Sequence, residues 1–391
     1  MPAWKEEFLD APCGTVWLRR VGAVVLLMFA LALGRAPSAD ARDPRGTAAR
    51  MQLEFHVSPA GSDSADGSAA HPWRTIQNAA DRVVPGAVVH VAPGRYESGT
   101  IDARVSGTPA ARIRFLSDST WGARIHVGPA TLYHYAWRQA GAFTDLEGFD
   151  ISGDGFVGIN IKGDDVRVLR NRVHDIPNRG SRGGAGILNE DGRHALIAGN
   201  VVHHIGDPDR PNALVHGIYL SRGSSGAIVQ NNLVYRNQGA GIHTYHTAQA
   251  ATISSNTVFA NGNWGILIGG SNGSRIDHCL ISNNIVYDNG GAAIVENGTT
   301  GSHNRFLDNL VFGNARGYEL KTSPAALGTV SANPGFVDYR RDGSGNYRLA
   351  PGSPCIDAGT AAGAPATDFD GRHRPLGRGY DLGAFESRPS P

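Results

Sequence analysis

The chain has 391 residues, with 36 basic and 35 acidic side chains and a formal net charge of +1. This balance provides neither a basic surface for nucleic acid nor an acidic tail, so nucleic acid is not an expected partner. Glycine is abundant at 52 residues, and the length is sufficient for a large core in one or two domains. The composition therefore favours a protein of strands and turns.

The first 41 residues are typical of an export signal. Arg19 and Arg20 precede an apolar run from Val21 to Leu33, and Ala39 and Ala41 flank a small-x-small cleavage site. The apolar run is shorter than the roughly 20 residues of a membrane helix. We therefore predict a signal peptide over residues 1–41, a secreted or periplasmic location and no membrane span after cleavage. An uncleaved membrane anchor is the alternative.

Residues 52–97 are predicted to form an N-terminal cap. Phe55 to Ser58 has the pattern of a strand, and a short helix is expected in the segment from Pro72 to Ala80. Val88 to Val91 is a second strand, followed by a turn at Pro93 to Tyr96. An amphipathic helix here would cover the open end of a repeat structure, which needs a polar outer face.

A repeated unit of about 28 residues occupies the middle of the chain. Each unit has an asparagine, a valine two residues later and then a histidine or aromatic residue. The asparagines are Asn171, Asn200, Asn232, Asn256, Asn284 and Asn309, at spacings of 29, 32, 24, 28 and 25 residues. Short β-branched runs broken by Gly, Asn and Asp indicate β coils rather than helical repeats. We therefore predict an all-β, single-stranded parallel β-helix through residue 332.

Four columns of aligned side chains follow from this period. The asparagines should form an internal amide ladder that satisfies backbone groups at a turn. The residues three positions later should stack as rings: His174, His203, Tyr235, Phe259, Tyr287 and Phe312. An inward column is predicted at Ile159, Ile187, Ile218, Ile242, Ile266 and Ile294. Alternation then directs the next residue of each unit outward: Asn160, Leu188, Tyr219, His243, Leu267 and Val295.

The C-terminal segment, residues 333–391, is rich in Gly, Pro and Asp. This composition predicts an irregular cap along the last coils, with its aspartates in solvated turns. Of the three cysteines, Cys13 would be removed with the signal. An oxidising compartment permits a disulfide between Cys279 and Cys355, and the sequence leaves that pairing open.

The chain resembles the pectate-lyase-like right-handed parallel β-helix superfamily over essentially all of its mature length. The opening, with Gly61, Asp63 and the segment Pro72 to Ala80, is similar to that of secreted members. The close is similar to that of many bacterial β-helix proteins, at residues 333–338, 353–359 and 381–386. The resemblance implies a right-handed coil. It does not specify the reaction, because the superfamily includes lyases, hydrolases, C5-epimerases and non-catalytic surface proteins.

Polar side chains concentrate on two adjacent units, at residues 216–222 and 241–246. The predicted register places Tyr219 directly under His243 and Arg222 under His246. A shallow groove on this face would suit an extended polysaccharide, which is the expected partner of a monomeric protein. The predicted catalytic residues are His243, Tyr219, Arg222, Tyr245 and Lys162. The predicted substrate-binding residues are His216, His246, Glu190, Ser221 and Asn160.

These residue types suit β-elimination of a uronate polymer. That reaction needs a cation to neutralise the carboxylate, a base for the C5 proton and an acid for the leaving oxygen. Arg222 or Lys162 is the candidate cation. His243 is the candidate base because an ordinary histidine titrates near neutral pH. Tyr219 or Tyr245 is the candidate acid.

Calcium is the one cofactor that the resemblance suggests. Family lyases with a lysine or arginine base pair it with calcium held by several aspartates. Lys162 followed by Asp164 and Asp165 echoes this, but a full aspartate set is not visible. Gly163-Asp164-Asp165 also looks like a motif of polygalacturonase-type hydrolases, whose other motifs are missing, so we interpret it as a turn. The Asp-Pro-His of C5-epimerases is absent as well.

Two alternatives to a lyase remain open. A glycoside hydrolase needs two carboxylates about 5–9.5 Å apart, and Glu190 with Asp164 or Asp165 is the pair available. A non-catalytic glycan-binding or surface protein would have no convergent cluster and no groove wall. The insert at residues 204–214, with two aspartates and two prolines, favours an enzyme because it could form a wall beside the cluster.

Overall fold

The computed structural model describes residues 53–128, 134–179, 183–271 and 273–387. The predicted signal peptide, residues 1–41, lies outside the described residues. Within the described ranges no helix combines the length and the hydropathy needed to span a membrane.

The elements are one short helix and a long series of strands. In chain order they are β1 (Leu53–Val57), α1 (Ile76–Arg82), β2 (Ala87–Val91), β3 (Gly94–Ser98), β4 (Ile101–Ala103), β5 (Ile113–Ser117), β6 (Ala123–Val127), β7 (Tyr135–Gln139), β8 (Thr144–Glu147), β9 (Asp150–Gly153), β10 (Val157–Ile161), β11 (Arg167–Leu169), β12 (Arg172–Ile176), β13 (Gly184–Asn189), β14 (Leu196–Ala198), β15 (Val201–Ile205), β16 (Val215–Leu220), β17 (Ile228–Gln230), β18 (Leu233–Tyr235), β19 (Ile242–Thr244), β20 (Thr252–Ser254), β21 (Thr257–Phe259), β22 (Ile266–Gly270), β23 (Leu280–Ser282), β24 (Ile285–Tyr287), β25 (Ala292–Gly298), β26 (Arg305–Leu307), β27 (Leu310–Phe312), β28 (Arg316–Glu319), β29 (Ala326–Leu327), β30 (Phe336–Asp338) and β31 (Asn346–Leu349).

The strands form three parallel sheets, so the all-β parallel β-helix is confirmed. Sheet A contains β1 and then every third strand from β2 to β29. Sheet B runs from β3 to β27 and sheet C from β4 to β28 in the same manner, with nine strands each. Each coil of the chain therefore adds one strand to each sheet.

The predicted inward column is confirmed. Parallel pairing of neighbouring coils aligns its six isoleucines in sheet C, from Ile159 with Ile187 to Ile266 with Ile294. All six are fully buried in one core cluster that extends along the coil axis. The β-branched side chains fill this interior because every coil presents the same position to it.

The asparagine ladder is also confirmed. From Asn171 to Asn309, each side-chain amide donates to the carboxamide oxygen of the next asparagine at 2.9–3.2 Å. The same oxygens accept backbone N–H groups, for example that of Asn232 on Asn256 at 3.0 Å. A second ladder, not predicted, links Asn237, Asn261, Asn289 and Asn314 at 2.8–2.9 Å. The two ladders satisfy buried backbone N–H and C=O groups in the turns before and after the strands of sheet B.

The ring column of sheet B forms at its predicted position. His174, His203, Tyr235 and Phe259 stack in turn, with ring centroids 4.8–5.0 Å apart. Tyr347 from the C-terminal segment packs on Phe259 at 4.4 Å. This face is therefore covered by the protein's own chain at that end.

Helix α1 begins inside the segment predicted to contain a helix, Pro72 to Ala80, and extends two residues beyond it to Arg82. Thr75 is its N-cap, and the Thr75 hydroxyl oxygen accepts the Asn78 backbone N–H at 3.2 Å. Ile76, Ala79 and Ala80 are buried in the core cluster of the coil. The helix has only seven residues, so most of the predicted cap is strand and turn.

The C-terminal segment runs along the coils with little regular structure. Within residues 333–387, all of which the structure describes, β30 and β31 form the only strand pair. The Asn231 amide donates to the Thr367 carbonyl at 2.6 Å, and the Asn283 amide donates to the Thr360 carbonyl at 2.7 Å. These contacts hold the segment against the turns between sheets A and B.

The two cysteines of the described chain are both free and buried, so the disulfide that the sequence left open does not form. Cys279 belongs to the core inside the coil, whereas Cys355 packs with Ile285 and Leu310 under the C-terminal segment. The two thiols therefore belong to different apolar clusters. Burial raises the pKa of each thiol to about 12.

Candidate functional site

The predicted site lies on the outer side of sheet C, and its register is as expected. Tyr219 pairs with His243, and their rings stack with centroids 4.9 Å apart and planes 11° apart. Leu188 and Leu267 occupy the same column on the flanking coils. The column therefore brings the tyrosine and the histidine together, and places apolar side chains above and below them.

This outward column is buried, which corrects the expectation of an open groove. Asn160, Tyr219 and His243 are 0%, 7% and 3% exposed. The side chains stack along the column, and Phe156, Tyr245 and Trp264 pack against them from the flanks. The side chains of this column therefore point away from the coil interior without reaching solvent. Ser221, another predicted binding residue, is also buried at 6% exposure.

His216 and His243 form a buried hydrogen-bonded pair. The Ala240 backbone N–H donates to His216 Nδ1 at 3.1 Å, and His216 Nε2 lies 3.0 Å from His243 Nδ1. Burial lowers the pKa of His216 to about 3. Burial, reinforced by His216 and His246, also lowers the pKa of His243 well below its ordinary value. Both rings are therefore neutral at pH 7, and the expectation that His243 titrates near neutral pH is wrong.

Within the described part of the chain, two side chains of the outward column carry buried polar atoms without hydrogen-bond partners. These atoms are His243 Nε2 and the amide nitrogen and oxygen of Asn160. Native proteins satisfy most buried polar atoms, so such atoms call for an explanation such as an ion, a water molecule or a functional role.

The accessible part of the predicted cluster lies where the sheet C strands end and the turns to sheet A begin. Lys162 Nζ is 3.1 Å from Glu190 Oε2 and 3.0 Å from Asp191 Oδ2. Burial acts to lower the pKa of Lys162, but its bonds to Asp191 and Glu190 outweigh burial and raise it. Lys162 is therefore a paired cation. Asp191 was not predicted, because it follows Glu190 in a turn whose direction the repeat pattern does not specify.

Arg222, Tyr245 and His246 continue this surface on the next two coils. Arg222 is exposed and, in the part of the chain that the structure describes, has no ion-pair partner. His246 is partly buried, and its pKa is lowered by burial and then by Arg222, as expected if the two are neighbours. The rings of Tyr245 and His246 lie 4.5 Å apart. A cation, a neutral imidazole and a phenol are thus close together.

Gly269 makes room for Tyr245. A side-chain carbon at residue 269 would lie 3.2 Å from the Tyr245 ring, so the ring packs directly over this glycine. Tyr245 also lies 5.4 Å from the His243 ring. Its ring therefore covers part of the buried histidine pair from the side of the turns.

The predicted metal candidates do not fit calcium. Arg193 holds Asp164 through its guanidinium at 2.6 Å and its backbone N–H at 2.9 Å, and this lowers the Asp164 pKa. Asp165 has a left-handed backbone with φ of 56°. Its carboxylate lies 3.9 Å from His194 Nδ1, and its backbone carbonyl accepts a hydrogen bond from the Arg112 guanidinium at 2.6 Å. An arginine at the carboxylate competes with any cation, so we derive no step through calcium. The segment is a turn, as interpreted from the sequence.

The insert at residues 204–214 joins β15 to β16. It lies at the N-terminal end of β16, whereas Arg222 follows the C-terminal end of that strand. Gln238 holds the insert by donating to the Asp207 carbonyl and accepting the Asn212 backbone N–H at 3.1 Å. The insert lines one end of a groove of about 650 Å³ along the turns between sheets B and C. This groove was not predicted, because it depends on how turns of different coils pack together.

The three parallel sheets, with one strand added to each by every coil, define the class of protein as the parallel β-helix. The family model described as "Pel9A-like, right handed beta helix region" matches residues 55–333. The chain belongs to this family.

Three solved structures illustrate the fold. The crystal structure of pectate lyase Pel9A has a TM-score of 0.57 at 18% identity, over 86% of this chain and 96% of that chain. A glycoside hydrolase has a TM-score of 0.54 at 8% identity, over 71% and 96%. The complex of XylC with xylose has a TM-score of 0.50 at 10% identity, over 69% and 70%. At these identities the likeness establishes the fold alone. No curated protein sequence matches the chain.

Proposed function

We propose that this protein is a secreted or periplasmic polysaccharide lyase that cleaves a uronate-containing glycan by β-elimination. The observation that carries the proposal is the exposed Arg222, which lacks an ion-pair partner among the described residues and neighbours His246 and Tyr245. Membership of a family named after a pectate lyase supports it. The surface is local to a few coils of a rigid scaffold, as enzyme sites on repeat folds commonly are.

Each of the three groups has a role in the proposed reaction. The Arg222 guanidinium binds the uronate carboxylate and stabilises the charge that develops when C5 loses its proton. The neutral imidazole of His246 takes that proton. The electron pair forms the C4–C5 double bond as the C4–oxygen bond breaks, and the Tyr245 hydroxyl protonates the departing oxygen. Lys162, held between Glu190 and Asp191, binds a neighbouring sugar.

These roles differ from the sequence-based assignment of the base and the acid. His243 was the expected base and Tyr219 one of two expected acids, but both side chains are buried beneath the surface. His246, predicted only to bind substrate, has the accessibility and the neutral form at pH 7 that a base needs.

The experiment incubates the purified mature protein with a panel of uronate polysaccharides, with and without calcium. Ultraviolet absorbance of the unsaturated uronate and new reducing ends are followed in parallel. We expect both to rise, and both to fall about 100-fold or more in Arg222→Ala and His246→Ala, since charge stabilisation and proton transfer each contribute at least that much. His71→Ala, at an exposed position in the N-terminal segment, is the matched control and should retain activity.

The same assay separates the two alternatives. Reducing ends without absorbance would indicate hydrolysis and direct attention to Glu190, although Asp164, its suggested partner, is bound by Arg193. No signal on any polymer of the panel would favour a non-catalytic glycan-binding protein.

A further inference from the structure

We propose that His243 is a fixed hydrogen-bond donor for a substrate carboxylate oxygen, and that His216 is a positioning residue that holds His243 in the donating tautomer. The ligand reaches His243 Nε2 when the Tyr245 ring moves aside. The identity of the ligand as a uronate rests on the proposed lyase function, whereas the direction of the hydrogen bonds does not.

The direction follows from the first bond of the chain. The Ala240 backbone N–H can only donate, so His216 Nδ1 must accept and carries no proton. A neutral His216 then has its proton on Nε2, which donates to His243 Nδ1. His243 Nδ1 is therefore an acceptor, and the proton of neutral His243 resides on Nε2.

The reverse arrangement conflicts with the backbone. If His243 Nδ1 carried the proton, His216 Nε2 would have to accept it, and the His216 proton would move to Nδ1. That proton would then face the Ala240 N–H, so two donors would meet in a buried space. The fold thus permits one tautomer of each ring.

The result is a buried N–H that lacks an acceptor among the residues that the structure describes. His243 Nε2 has no hydrogen-bond partner there, and the ring is enclosed by Tyr219 on one side and by Leu267 in the column on the other. The two ring nitrogens point in roughly opposite directions, so Nε2 points away from His216. The register aligns His216 with Ala240, before His243 in the strand, whereas Tyr245 follows His243 with its ring 5.4 Å away. An oxygen acceptor placed there would satisfy a donor that is otherwise left without a bond.

The occupant we infer is an anionic oxygen rather than a second donor. A fixed N–H rejects ligand donors and binds carboxylate oxygens more strongly than neutral ones. Arg222, which has no ion-pair partner among the described residues, follows the C-terminal end of its sheet C strand, as Tyr245 does on the next coil. An acidic sugar is therefore attracted to these strand ends. His243 and Arg222 would then select uronates over their neutral methyl esters.

Glutamine provides a sharp test because it has one acceptor and two donor hydrogens on its amide. His243→Gln can accept from His216 and still donate to the ligand, whereas His243→Phe keeps a ring on Tyr219 but loses both bonds. Likewise, His216→Gln can accept from Ala240 and donate to His243, whereas His216→Phe cannot.

A donor role predicts that kcat/KM for uronate falls roughly 10- to 150-fold in the Phe variants. The Gln variants should stay within about 10-fold of wild type.

Two kinetic outcomes would overturn the proposal. Equal loss in His243→Gln and His243→Phe would indicate a base or a purely steric role. Retention of activity in both would indicate a structural role. A purely structural role also predicts that uronate and methyl-ester substrates are affected alike, whereas the donor role predicts that the Phe variants lose the preference for uronate.

Nitrogen-15 NMR of the histidine rings tests the relay without any activity. In the full-length mature protein we expect both rings as neutral Nε2–H tautomers, with His243 becoming a mixture of tautomers in His216→Phe. A galacturonate trimer should shift His243 Nε2, and its methyl ester should not. A wild-type Nδ1–H form of His243, or an Nε2 bonded to a fixed water that the trimer leaves in place, would refute the proposal. If NMR supports the relay but no lyase activity exists, only the proposed reaction fails.

Discussion

Asn256→Ala tests the energetic importance of the asparagine ladder. The Asn256 oxygen accepts the backbone N–H and the side-chain amide of Asn232 at 3.0 and 2.9 Å. Its amide donates to the Val229 carbonyl at 2.9 Å and to the Asn284 oxygen at 3.0 Å. All of these groups lie in the buried turn between sheets A and B, where no solvent replaces the lost bonds. At about 1 kcal/mol for each lost bond, we expect the free energy of unfolding to fall by roughly 3–5 kcal/mol.

The control is Asn314→Ala at the end of the second ladder. Asn314 donates to the Val286 and Phe312 carbonyls and accepts from the backbone N–H and the amide of Asn289 at 3.0 and 2.8 Å. Its side chain is partly exposed, however, so water can replace these bonds. We expect a loss of about 1 kcal/mol there. The assay is denaturant unfolding followed by circular dichroism, with the slope compared between variants to check cooperativity. Equal losses in the two variants, or a loss below about 1 kcal/mol for Asn256→Ala, would refute the reasoning.

Three further predictions concern buried charges. Burial raises the Glu296 pKa, but the N–H and hydroxyl of Ser323 and other donors outweigh burial and lower the pKa. The ionised Glu296 carboxylate therefore stabilises the fold fully above its ordinary pKa of 4.5. Denaturation at several pH values should show the stability advantage of wild type over Glu296→Gln disappearing as pH falls through the lowered pKa. Burial lowers the His174 pKa, but the carboxylate of Asp150, aided by a second aspartate, outweighs it and raises the pKa. The advantage of wild type over His174→Phe should therefore be greatest below about pH 6.5 and lost as pH rises through the raised pKa; a constant difference would contradict this. Glu386→Gln removes the ion-pair partner of the fully buried Arg374 guanidinium, so calorimetry should show a loss of about 3–5 kcal/mol, and a neutral effect would be contrary evidence.

The repeat carried most of the predictive information. Because each coil aligns with the next, the recurrence of Asn171 and its equivalents predicted the amide ladder. The recurrence of Ile187 and its equivalents predicted which side chains fill the coil interior. The same register correctly paired Tyr219 with His243. From Asn232 onward, each asparagine of the first ladder is followed five residues later by another asparagine, as Asn232 is by Asn237. This recurrence could have revealed the second ladder.

Burial and partner choice could not be predicted in this way. Alternation gives the direction of the His243 side chain, but whether it reaches solvent depends on neighbours such as Trp264 and Tyr245 in loops of irregular length. The bond between His216 and His243 joins different columns of adjacent coils, so no single-column pattern contains it. Lys162 pairs with Asp191 because of the path of a turn, which the repeat does not encode.

Mass spectrometry of the products released from a uronate polysaccharide tests the central claim most directly. β-Elimination breaks the C4–oxygen bond without adding water, so each new non-reducing end carries a C4–C5 double bond and is one water lighter than a hydrolysis product. We predict these unsaturated products from the wild-type protein and their loss in Arg222→Ala. Saturated products would contradict the account, because they require a hydrolytic mechanism that the arginine, histidine and tyrosine of this surface do not provide.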